Sequence, residues 1–280
     1  MSGARRGAMP TGDVIKLSSP ATREFWEIPI LFEDEHLLAV EKPSDLLTSP
    51  DRYDRERPNL MKLLHAAIAE GKPWTLVHQR GYLANAHRLD FETSGIILLA
   101  KSKPVLVSLA NQFGSNKPLK HYVALVNGAP AEDKFEVDAR ISPHPAKPGL
   151  MHIDRRHGKK STTRFEVLEK FRNHTLLRCV PVTGRTHQIR IQIRIHLRSV
   201  RLPIVGDALY HGAPLKLSRL KRRYTLKEGE TEKPLMARVA LHAEELTLPH
   251  PVTGEMVTIK SPWPKDFAVA VKYLRRYASY

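Results

Sequence analysis

The sequence predicts an α+β protein with a mixed, largely antiparallel central sheet, flanked by helices and loops. Length supports a folded domain, since 280 residues with 41% hydrophobic content can bury a sizeable core. Short apolar and β-branched runs are numerous, whereas only a few segments have helical apolar spacing. Strands and helices also lack the regular alternation of parallel βαβ units, which favours the α+β class.

The first third of the chain contains few clear elements. Residues 1–27 are polar and irregular and are predicted to form a disordered N-terminal arm. Leu37–Val40 predicts a buried strand that ends before Pro43, because proline cannot donate to a strand ladder. Apolar residues recur with helical spacing over 60–70, and Pro58 just upstream suits a helix entry.

The remaining two thirds alternate between strand patterns and charged loops. Ser102 is placed to cap a helix that runs to about Phe113. Residues 28–280 are expected to form a single catalytic domain, in which 211–233 is a charged insertion loop that touches nucleic acid. Further strands are predicted at 96–100, 121–126, 163–167, 175–180, 241–243, 246–248 and 257–259, the last two pairing around a turn at 250–254.

The charge balance indicates a polyanionic partner. Lys and Arg number 45 against 29 Asp and Glu, which gives a net charge of +16 and an isoelectric point near 10.0. Such a surplus favours nucleic acid, because neutralising phosphates releases counterions. A basic surface that serves only solubility is the alternative interpretation. An anionic membrane is a weaker one, because the chain has no evident basic amphipathic segment or lipidation motif.

The sequence lacks the features of disulfide-bonded, membrane-spanning, secreted and metal-binding proteins. The single Cys179 excludes an intramolecular disulfide and is expected to be a buried strand residue. No apolar run reaches the roughly 20 residues that span a bilayer, and no secretory signal is present, so a cytoplasmic monomer is expected. Metal-site spacings such as HExxH or CxxC are absent. Gly158–Ser161 lacks the upstream glycine of a phosphate loop, so neither a metal nor a cofactor is expected.

The most informative stretch is His87–Gly95, which leads into the apolar run Ile96–Ala100. Asp90 stands between a His-Arg pair and a Thr-Ser-Gly turn, directly before a rigid strand. This placement suits a reactive carboxylate that is exposed on a loop and kept ionised by neighbouring cations. A surface aspartate paired with Arg88 at the entry to a strand is the alternative.

This stretch resembles the HRLDxxTSG signature of the RluA family of RNA pseudouridine synthases. Other segments resemble further blocks of that family in the family's order, and together they cover about 29–267. They are Phe32–Pro43, Lys120–Gly128 (KxYxALVxG), Thr183–Arg190 (TGRTHQIR), Pro203–Tyr210 and Leu241–Pro251.

The resemblance implies the pseudouridine synthase fold and the isomerisation of uridine to pseudouridine in ribosomal or transfer RNA, without a cofactor. Asp90 is implied as the catalytic carboxylate, and Arg185 as its ion-pair partner. Tyr122 is implied to stack on the base and is a candidate for removing a proton from it, although core filling is an equal alternative. A sugar-directed and a base-directed mechanism both remain open. Residues implied or proposed to contact RNA are Lys42, His87, Arg88, Lys120, His187, Gln188, Arg190, Arg194 and Arg198.

The segment 189–198 carries two conflicting patterns. Apolar residues fall on every odd position from Ile189 to Leu197, which is typical of a strand. Arg190, Arg194 and Arg198 instead recur every four residues, which on a helix makes one basic stripe. We take the helix, since it agrees with the resemblance and explains the arginines as contacts to RNA phosphates. A solvated charged face is the alternative.

Two departures from the family pattern concern substrate choice. Ser44-Asp45 follows Pro43, where the family usually has a small residue and glycine, and aspartate tolerates a positive φ less well. The chain between Arg190 and Pro203 is also about four residues longer than usual, close to one helical turn. We expect no S4 domain of the kind that many relatives carry, because the sequence upstream of the first block is too short for one. The catalytic domain is therefore expected to hold the RNA itself.

Two other functions compete with this hypothesis. A non-catalytic RNA-binding or assembly protein would use the net charge of +16 and keep a vestigial active site. The family's Asp, Tyr and Arg are all present, which argues against it. An N-glycosidase would need an activated water and a second acid. Glu92 is close in sequence, but it occupies a variable position of the signature.

Overall fold

The structure, a computed structural model, describes residues 13–51, 54, 56–77, 81–115, 117–147, 150–183, 189–226 and 229–280. These residues form two compact units. Unit 1 consists of the described residues up to Lys120 together with Ala243–Ser261, and unit 2 of those in His121–His242 together with Pro262–Tyr280. Among the described residues strands outnumber helices, and most of the strand pairs given below are antiparallel, so the predicted α+β class is confirmed.

Unit 1 is a sheet with helices packed on it. The strand order is β1-β2-β3-β5-β11, with β4 paired to β5 and β12 to β11. The strands are β1 (Val14–Ser19), β2 (Glu24–Glu33), β3 (Leu37–Lys42), β4 (Ala84–Asn85), β5 (Ser94–Ala100), β11 (Leu241–Pro249) and β12 (Met256–Lys260). The helices are α1 (Leu60–Ala69), α2 (Pro73–Val77) and α3 (Lys103–Gly114). Strand β11 begins in unit 2, to which Leu241 and His242 belong.

The core of unit 1 lies between α3 and one face of this sheet. Leu98 of β5, Leu109 and Phe113 of α3, and Leu248 of β11 belong to one buried cluster. Helix α3 starts after Ser102 with proline in its first turn, as predicted, although the Ser102 side chain makes no cap hydrogen bond. The apolar spacing of α3 therefore fixes the sheet that carries the His87–Gly95 segment.

Part of the predicted N-terminal arm is instead an ordered strand. Val14–Ser19 pairs with Glu24–Pro29 along its whole length, and its residues alternate between exposed and buried. Ile15 and Leu17 are buried, at 0% and 2% exposure. The prediction of a disordered arm is therefore wrong for 14–19 and for the start of β2, because two apolar residues at strand spacing suffice to dock an edge strand. Residues 1–12 lie outside the described part of the chain.

Unit 2 is built on antiparallel strands in the order β6-β10-β9-β7-β8. Val126 also forms a bridge with Ile204, and Leu125 exchanges backbone hydrogen bonds with Val205 and Ala240. The strands are β6 (Leu119–Asn127), β7 (Lys134–Pro143), β8 (Met151–Ile153), β9 (Lys159–Phe171) and β10 (His174–Pro181), and the helices are α4 (Ile189–Ser199) and α5 (Lys265–Tyr277). The first two residues of β6 belong to unit 1.

The structure of unit 2 tests two local predictions. The helix over the conflicting segment 189–198 is confirmed as α4. Cys179 is fully buried in β10 and burial raises the pKa of its thiol, as expected of a strand residue rather than a nucleophile. Among the described residues, no helix is long and apolar enough to cross a bilayer.

Candidate active site

Asp90 lies on a loop of unit 1 that is fixed on both sides. Before it, the fully buried Leu89 exchanges two hydrogen bonds with the hydroxyl of Thr48, which accepts from its backbone N–H and donates to its carbonyl, both at 2.9 Å. After it, the N–H of Thr93 donates to the Asp90 carbonyl at 3.2 Å and closes a turn. The half-buried Asp90 side chain is therefore presented by a backbone that cannot move freely.

A second set of hydrogen bonds holds Phe91, the residue after Asp90. The Phe91 carbonyl accepts from the backbone N–H of Asp45 at 2.8 Å and from the ammonium of Lys42 at 3.5 Å. Lys42 also donates to the carbonyls of Pro43 and Leu46, each at 2.6 Å. The turn after β3 is thus tied to the Asp90 loop.

Two predictions about this turn can now be judged. Asp45 has a φ of +61°, so the position that is usually glycine in the family does adopt the left-handed conformation. Lys42 has no solvent exposure, and its ammonium donates to three carbonyls, so its predicted role as an RNA contact is wrong. The flexible side chain of Lys42 lets its ammonium, at the end of a buried strand, donate to several backbone carbonyls of the adjacent turn and the Asp90 loop.

His87 is an anchor of the same loop. Its Nε2 accepts a hydrogen bond from the backbone N–H of Leu98 at 3.1 Å, and its ring stacks on Phe113 with 4.9 Å between centroids. An Nε2 that accepts places the ring proton of a neutral imidazole on Nδ1. The Asn85 amide holds the His87 carbonyl at 2.9 Å. His87 therefore orients the loop, and its contact to RNA stays a prediction.

Gly95 lets another strand approach the end of the signature. Its φ is +117°, and a Cβ built there would lie only 2.3 Å from the carbonyl oxygen of Ala243 in β11. Both the conformation and the close approach exclude any other residue without a shift of β11. The glycine of the signature is thus explained by packing within unit 1.

Lys120 lies at the end of unit 1 and is largely buried. Only 7% of its surface is exposed, and burial lowers the pKa of its ammonium to about 8. The Nζ atom sits 5.7 Å from the centre of the Phe113 ring. This is not the exposed amine expected of a phosphate contact, and the predicted role of Lys120 in RNA binding is corrected accordingly.

Tyr122 belongs to unit 2 and lies on strand β6. It stands on β6 opposite Cys179 of β10 and is 4% exposed. The strand holds the aromatic ring rigidly, which both a core role and a role against a base would require. Arg185, His187 and Gln188 lie outside the described residues.

The chain on either side of 184–188 is anchored to β9. Before it, Thr183 accepts from the backbone N–H of Thr162 at 2.7 Å. After it, the amide of Gln192 in α4 donates to the Thr162 carbonyl and to the Thr163 hydroxyl, both at 2.9 Å. One turn later His196 bonds Thr163 at 3.0 Å and Ser161 at 3.2 Å. The TGRTHQIR block is therefore flanked by fixed residues.

The proposed basic stripe of α4 is not a stripe of exposed arginines. Arg194 is 5% exposed, and its guanidinium donates two hydrogen bonds of 2.7 Å to the carboxylate of Asp207. Its predicted contact to RNA is therefore wrong, because a fork paired with a fully buried carboxylate serves the fold. Arg198 is exposed and remains a candidate. The side chain of Arg190 is not among those described.

No candidate metal centre is found in the part of the chain that the structure describes, where no three His, Cys, Asp or Glu side chains converge. The site consists instead of a carboxylate on a fixed loop, with Arg88 half-buried beside it in sequence. Such a site can supply one negative charge to a reacting sugar or base.

Residues 36–195 match the family model described as RNA pseudouridylate synthase, more than half of the chain. The chain belongs to this family. The matched range contains Asp90 and Tyr122, and it confirms the resemblance drawn from the signature blocks.

Curated relatives support the same family. The chain is 34% identical to the dual-specificity RNA pseudouridine synthase RluA of Haemophilus influenzae, over 84% of this chain and 92% of that one. It is 35% identical to the ribosomal large subunit pseudouridine synthase D of Nitrosomonas europaea, over 89% of this chain. The chain spans 65% of that relative's length.

Solved structures confirm the pseudouridine synthase fold. Human RNA pseudouridylate synthase domain containing 4 aligns with a TM-score of 0.63 at 24% identity, covering 88% of this chain and 92% of that one. Human RNA pseudouridylate synthase domain containing 1 aligns with a TM-score of 0.59 at 23% identity, covering 85% and 84%.

The sequence did not reveal the roles of some residues that hold the site in place. Thr48 carries both hydrogen bonds to Leu89, yet it lies 41 positions upstream in a loop without a motif. Asp207 was assigned to a family block, but its pairing with Arg194 was not predicted. A lone aspartate after a glycine gives no signal for a buried ion pair, so only tertiary structure reveals it.

Proposed function

We propose that this protein isomerises uridine to pseudouridine in structured RNA, with Asp90 as the catalytic carboxylate. The single observation that carries the proposal is the fixation of the Asp90 loop by Thr48, Lys42 and His87 within a segment matched by the family model. A carboxylate held in one place is what reaction at a particular carbon requires.

The proposed reaction breaks the bond between C1′ of the ribose and N1 of uracil and forms one between C1′ and C5. The proton on C5 is then lost, and N1 gains one, so atoms and charge balance without a redox partner. Asp90 acts as nucleophile or stabilises positive charge on the sugar during this exchange. The chemistry needs no cofactor.

The other two residues of the proposed centre serve the carboxylate and the base. Arg185 pairs with Asp90, keeps it ionised and orients it through a planar two-point contact. In this proposal Tyr122 packs against the uracil ring, and its hydroxyl is the candidate group that takes the C5 proton. In this proposal residues 28–280 act together as one catalytic domain.

The target uridine must leave its stack before the carboxylate can reach the glycosidic bond. Single-stranded loops are the favoured targets, because their bases splay out most easily. Ribosomal large subunit RNA is the proposed substrate, by analogy with the name of the Nitrosomonas europaea relative. Transfer RNA is the alternative that the resemblance of the sequence blocks implies. We propose that the enzyme acts as a cytoplasmic monomer. Its proposed RNA contacts are His87, Arg88, His187, Gln188, Arg190 and Arg198.

Pseudouridine mapping of total RNA, from cells with and without the gene, tests the function directly. The proposal predicts that at least one pseudouridine disappears and returns when the gene is restored. A complete set of pseudouridines in the deletion strain, together with unchanged ribosome assembly, would contradict it. Loss of assembly with all pseudouridines intact would favour the non-catalytic RNA-binding alternative.

The role of Arg185 is tested by replacing it with lysine. The charge is kept but the planar fork is lost, so turnover should fall by more than about tenfold while RNA affinity stays near that of wild type. The measurement is pseudouridine formation at saturating RNA beside a filter-binding assay. An equal loss of affinity would make Arg185 a general RNA contact instead.

A further inference from the structure

Unit 2 contains a cavity of about 380 Å³. Its walls come from the end of β6, the turn between β9 and β10, the chain after Tyr210, and the C-terminal end of α5. The charged side chains around it belong to none of the segments that carry the family resemblance. Its volume is at the small end of the range of about 300–1,000 Å³ for ligand pockets.

The cavity is lined by cations and by no acid. Arg172, Lys216 and Arg219 contribute three positive charges, and none of the lining residues is Asp or Glu. Among the described residues, neither Arg172 nor Arg219 has a carboxylate within ion-pair distance. Glu232 attracts Lys216 from outside the lining, but its carboxylate already accepts two hydrogen bonds from Ser218, at 2.6 and 2.8 Å.

Some arginines of unit 2 outside the cavity are paired with glutamates, in contrast to Arg172 and Arg219. Arg275 forms a two-point contact with Glu169, with a shortest distance of 2.8 Å, and Arg178 donates to Glu166 at 2.9 Å. Three neighbouring cations without such partners repel one another when the cavity is empty. They are satisfied most simply by an anion with several oxygen acceptors.

The walls are held in place before any ligand arrives. The backbone N–H of Arg172 donates to Ala278 at 2.7 Å, and that of Ala213 donates to the Asn127 side chain at 2.9 Å. Asn173 adopts a φ of +64° and accepts from the N–H of Gly128 at 2.8 Å. A site whose backbone is already ordered loses less entropy on binding.

The rings of Tyr277, His174 and His211 line the same cavity, and they give it an apolar side. Tyr277 of α5 is half-buried and stacks on Tyr273 with 6.0 Å between ring centres. Burial lowers the pKa of His174, so its imidazole is neutral at pH 7. Neutral aromatic rings beside cations are the combination with which proteins hold a nucleotide of single-stranded RNA.

We propose that this cavity binds one nucleotide of the substrate RNA other than the uridine that is isomerised. Its phosphate lies among Arg172, Lys216 and Arg219, and its base lies against Tyr277 and His174. The cavity is thus a second RNA site, placed at the start of the charged insertion. The identity of the ligand as RNA rests on the proposed function.

The test compares two triple variants of the full chain with equal charge loss. The cavity variant carries Arg172→Gln, Lys216→Gln and Arg219→Gln. The control carries Lys103→Gln, Lys265→Gln and Lys272→Gln, three exposed lysines that do not line the cavity. Each lost phosphate contact lowers the slope of log affinity against log salt by about 0.7 for single-stranded RNA.

The probe is a short oligouridylate, with affinity measured by filter binding over a series of salt concentrations. The slope of log affinity against log salt should be flatter in the cavity variant than in the control by about 0.7 or more, which corresponds to the loss of at least one phosphate contact. Equal slopes in the two variants would overturn the proposal, since the effect would then be one of net charge. Thermal unfolding should be alike in both variants, because none of the six side chains is fully buried.

Two further measurements are needed. The first distinguishes RNA from free phosphate as the ligand of the cavity, and the second distinguishes failure of this proposal from failure of the proposed function. Titration with inorganic phosphate alone should show no binding that depends on the three residues. Such binding together with an unchanged RNA slope would make the cavity a site for free phosphate and overturn its RNA role. Turnover at saturating RNA should match wild type in the control variant. A wild-type protein that binds RNA through the cavity but forms no pseudouridine would refute only the proposed function.

Discussion

At the scale of single residues, the site depends on polar groups that satisfy the backbone of the Asp90 loop. Lys42 and Thr48 both have 0% exposure, and the Lys42 ammonium donates to three carbonyls. Leaving a buried acceptor without a donor costs about 1–3 kcal/mol. The role of the buried Lys42 ammonium is therefore to hold the Asp90 loop in position.

We expect Lys42→Met to lower the free energy of unfolding by about 1–3 kcal/mol and to reduce kcat more than it raises KM. The carbonyls of Leu46 and Phe91 lose their shared donor, so the Asp90 loop loosens although no RNA contact is removed. Chemical denaturation and steady-state kinetics measure the two effects. Lys62→Met is the control, because that lysine is half exposed and pairs with Glu56 on the surface. A Lys42 variant with raised KM alone would restore its role as an RNA contact.

What the sequence predicts at this scale is the identity of reactive residues rather than their surroundings. Asp90 is recognisable because its neighbours form a motif, and the positive φ of Asp45 could be anticipated from the glycine usual at that position. The burial of Lys42 could not be. Lysine is among the residues most often exposed, and only the carbonyls that converge on it in three dimensions reverse that expectation.

At the scale of elements, helix α4 shows how burial divides a regular pattern. Arg194 and Arg198 are one turn apart, yet Arg194 is bound to Asp207 inside the fold while Arg198 is exposed. The sequence could predict the helix from its arginine spacing. It could not show which arginine faces Asp207, because the odd-numbered isoleucines make the helix apolar on more than one side.

We expect Arg194→Gln to destabilise the fold by about 3–5 kcal/mol, because a buried carboxylate loses its only fork partner. Arg198→Gln should change stability by less than about 0.5 kcal/mol and should instead flatten the salt dependence of RNA binding. Urea denaturation and filter binding of both variants decide between the roles. If Arg194→Gln were as stable as Arg198→Gln, the ion pair with Asp207 would contribute nothing.

Helix α4 also makes the protein sensitive to acid. Burial lowers the pKa of His196 to about 4, whereas its value in the unfolded chain is near 6.5. Between these values the unfolded state binds a proton that the folded state does not, so stability falls as the pH is lowered from 6.5 to 4. The loss amounts to about 3 kcal/mol if His196 acts alone.

Replacing His196 by glutamine should remove this part of the pH dependence, because the amide can still bond Ser161 and Thr163 but cannot be protonated in this range. The free energy of unfolding, measured from pH 7 to pH 4, should fall less steeply in the variant. His157→Gln is the matched control, since that side chain is 84% exposed. Identical slopes for wild type and His196→Gln would show that other groups cause the acid sensitivity.

At the scale of the whole molecule, the family and the fold class could be predicted, while the edges of the sheets could not. Strands β3, β5, β6 and β10 are long apolar runs that any strand criterion detects. Strand β1 depends on two buried residues, and strand β7 buries few of its ten, so their polar composition hides them. Helix α5 carried a detectable signal that was overlooked, since Phe267, Ala270, Val271 and Leu274 have helical spacing.

The net charge of +16 belongs to this scale as well. It favours association with RNA in general, but it does not distinguish an enzyme from a binding protein. That distinction depends on whether a fixed carboxylate performs chemistry. The fold supplies the fixation, through the hydrogen bonds of Leu89 and Phe91 on either side of Asp90.

The most direct measurement is tritium release from RNA labelled at C5 of uridine, made with wild type and with Asp90→Asn, beside filter binding of the same RNA. The substitution keeps the volume of the side chain and removes only its charge. Release by the variant should be undetectable, while RNA affinity and thermal unfolding remain close to those of wild type. Release within about tenfold of the wild-type rate would contradict the assignment of Asp90 as the catalytic carboxylate.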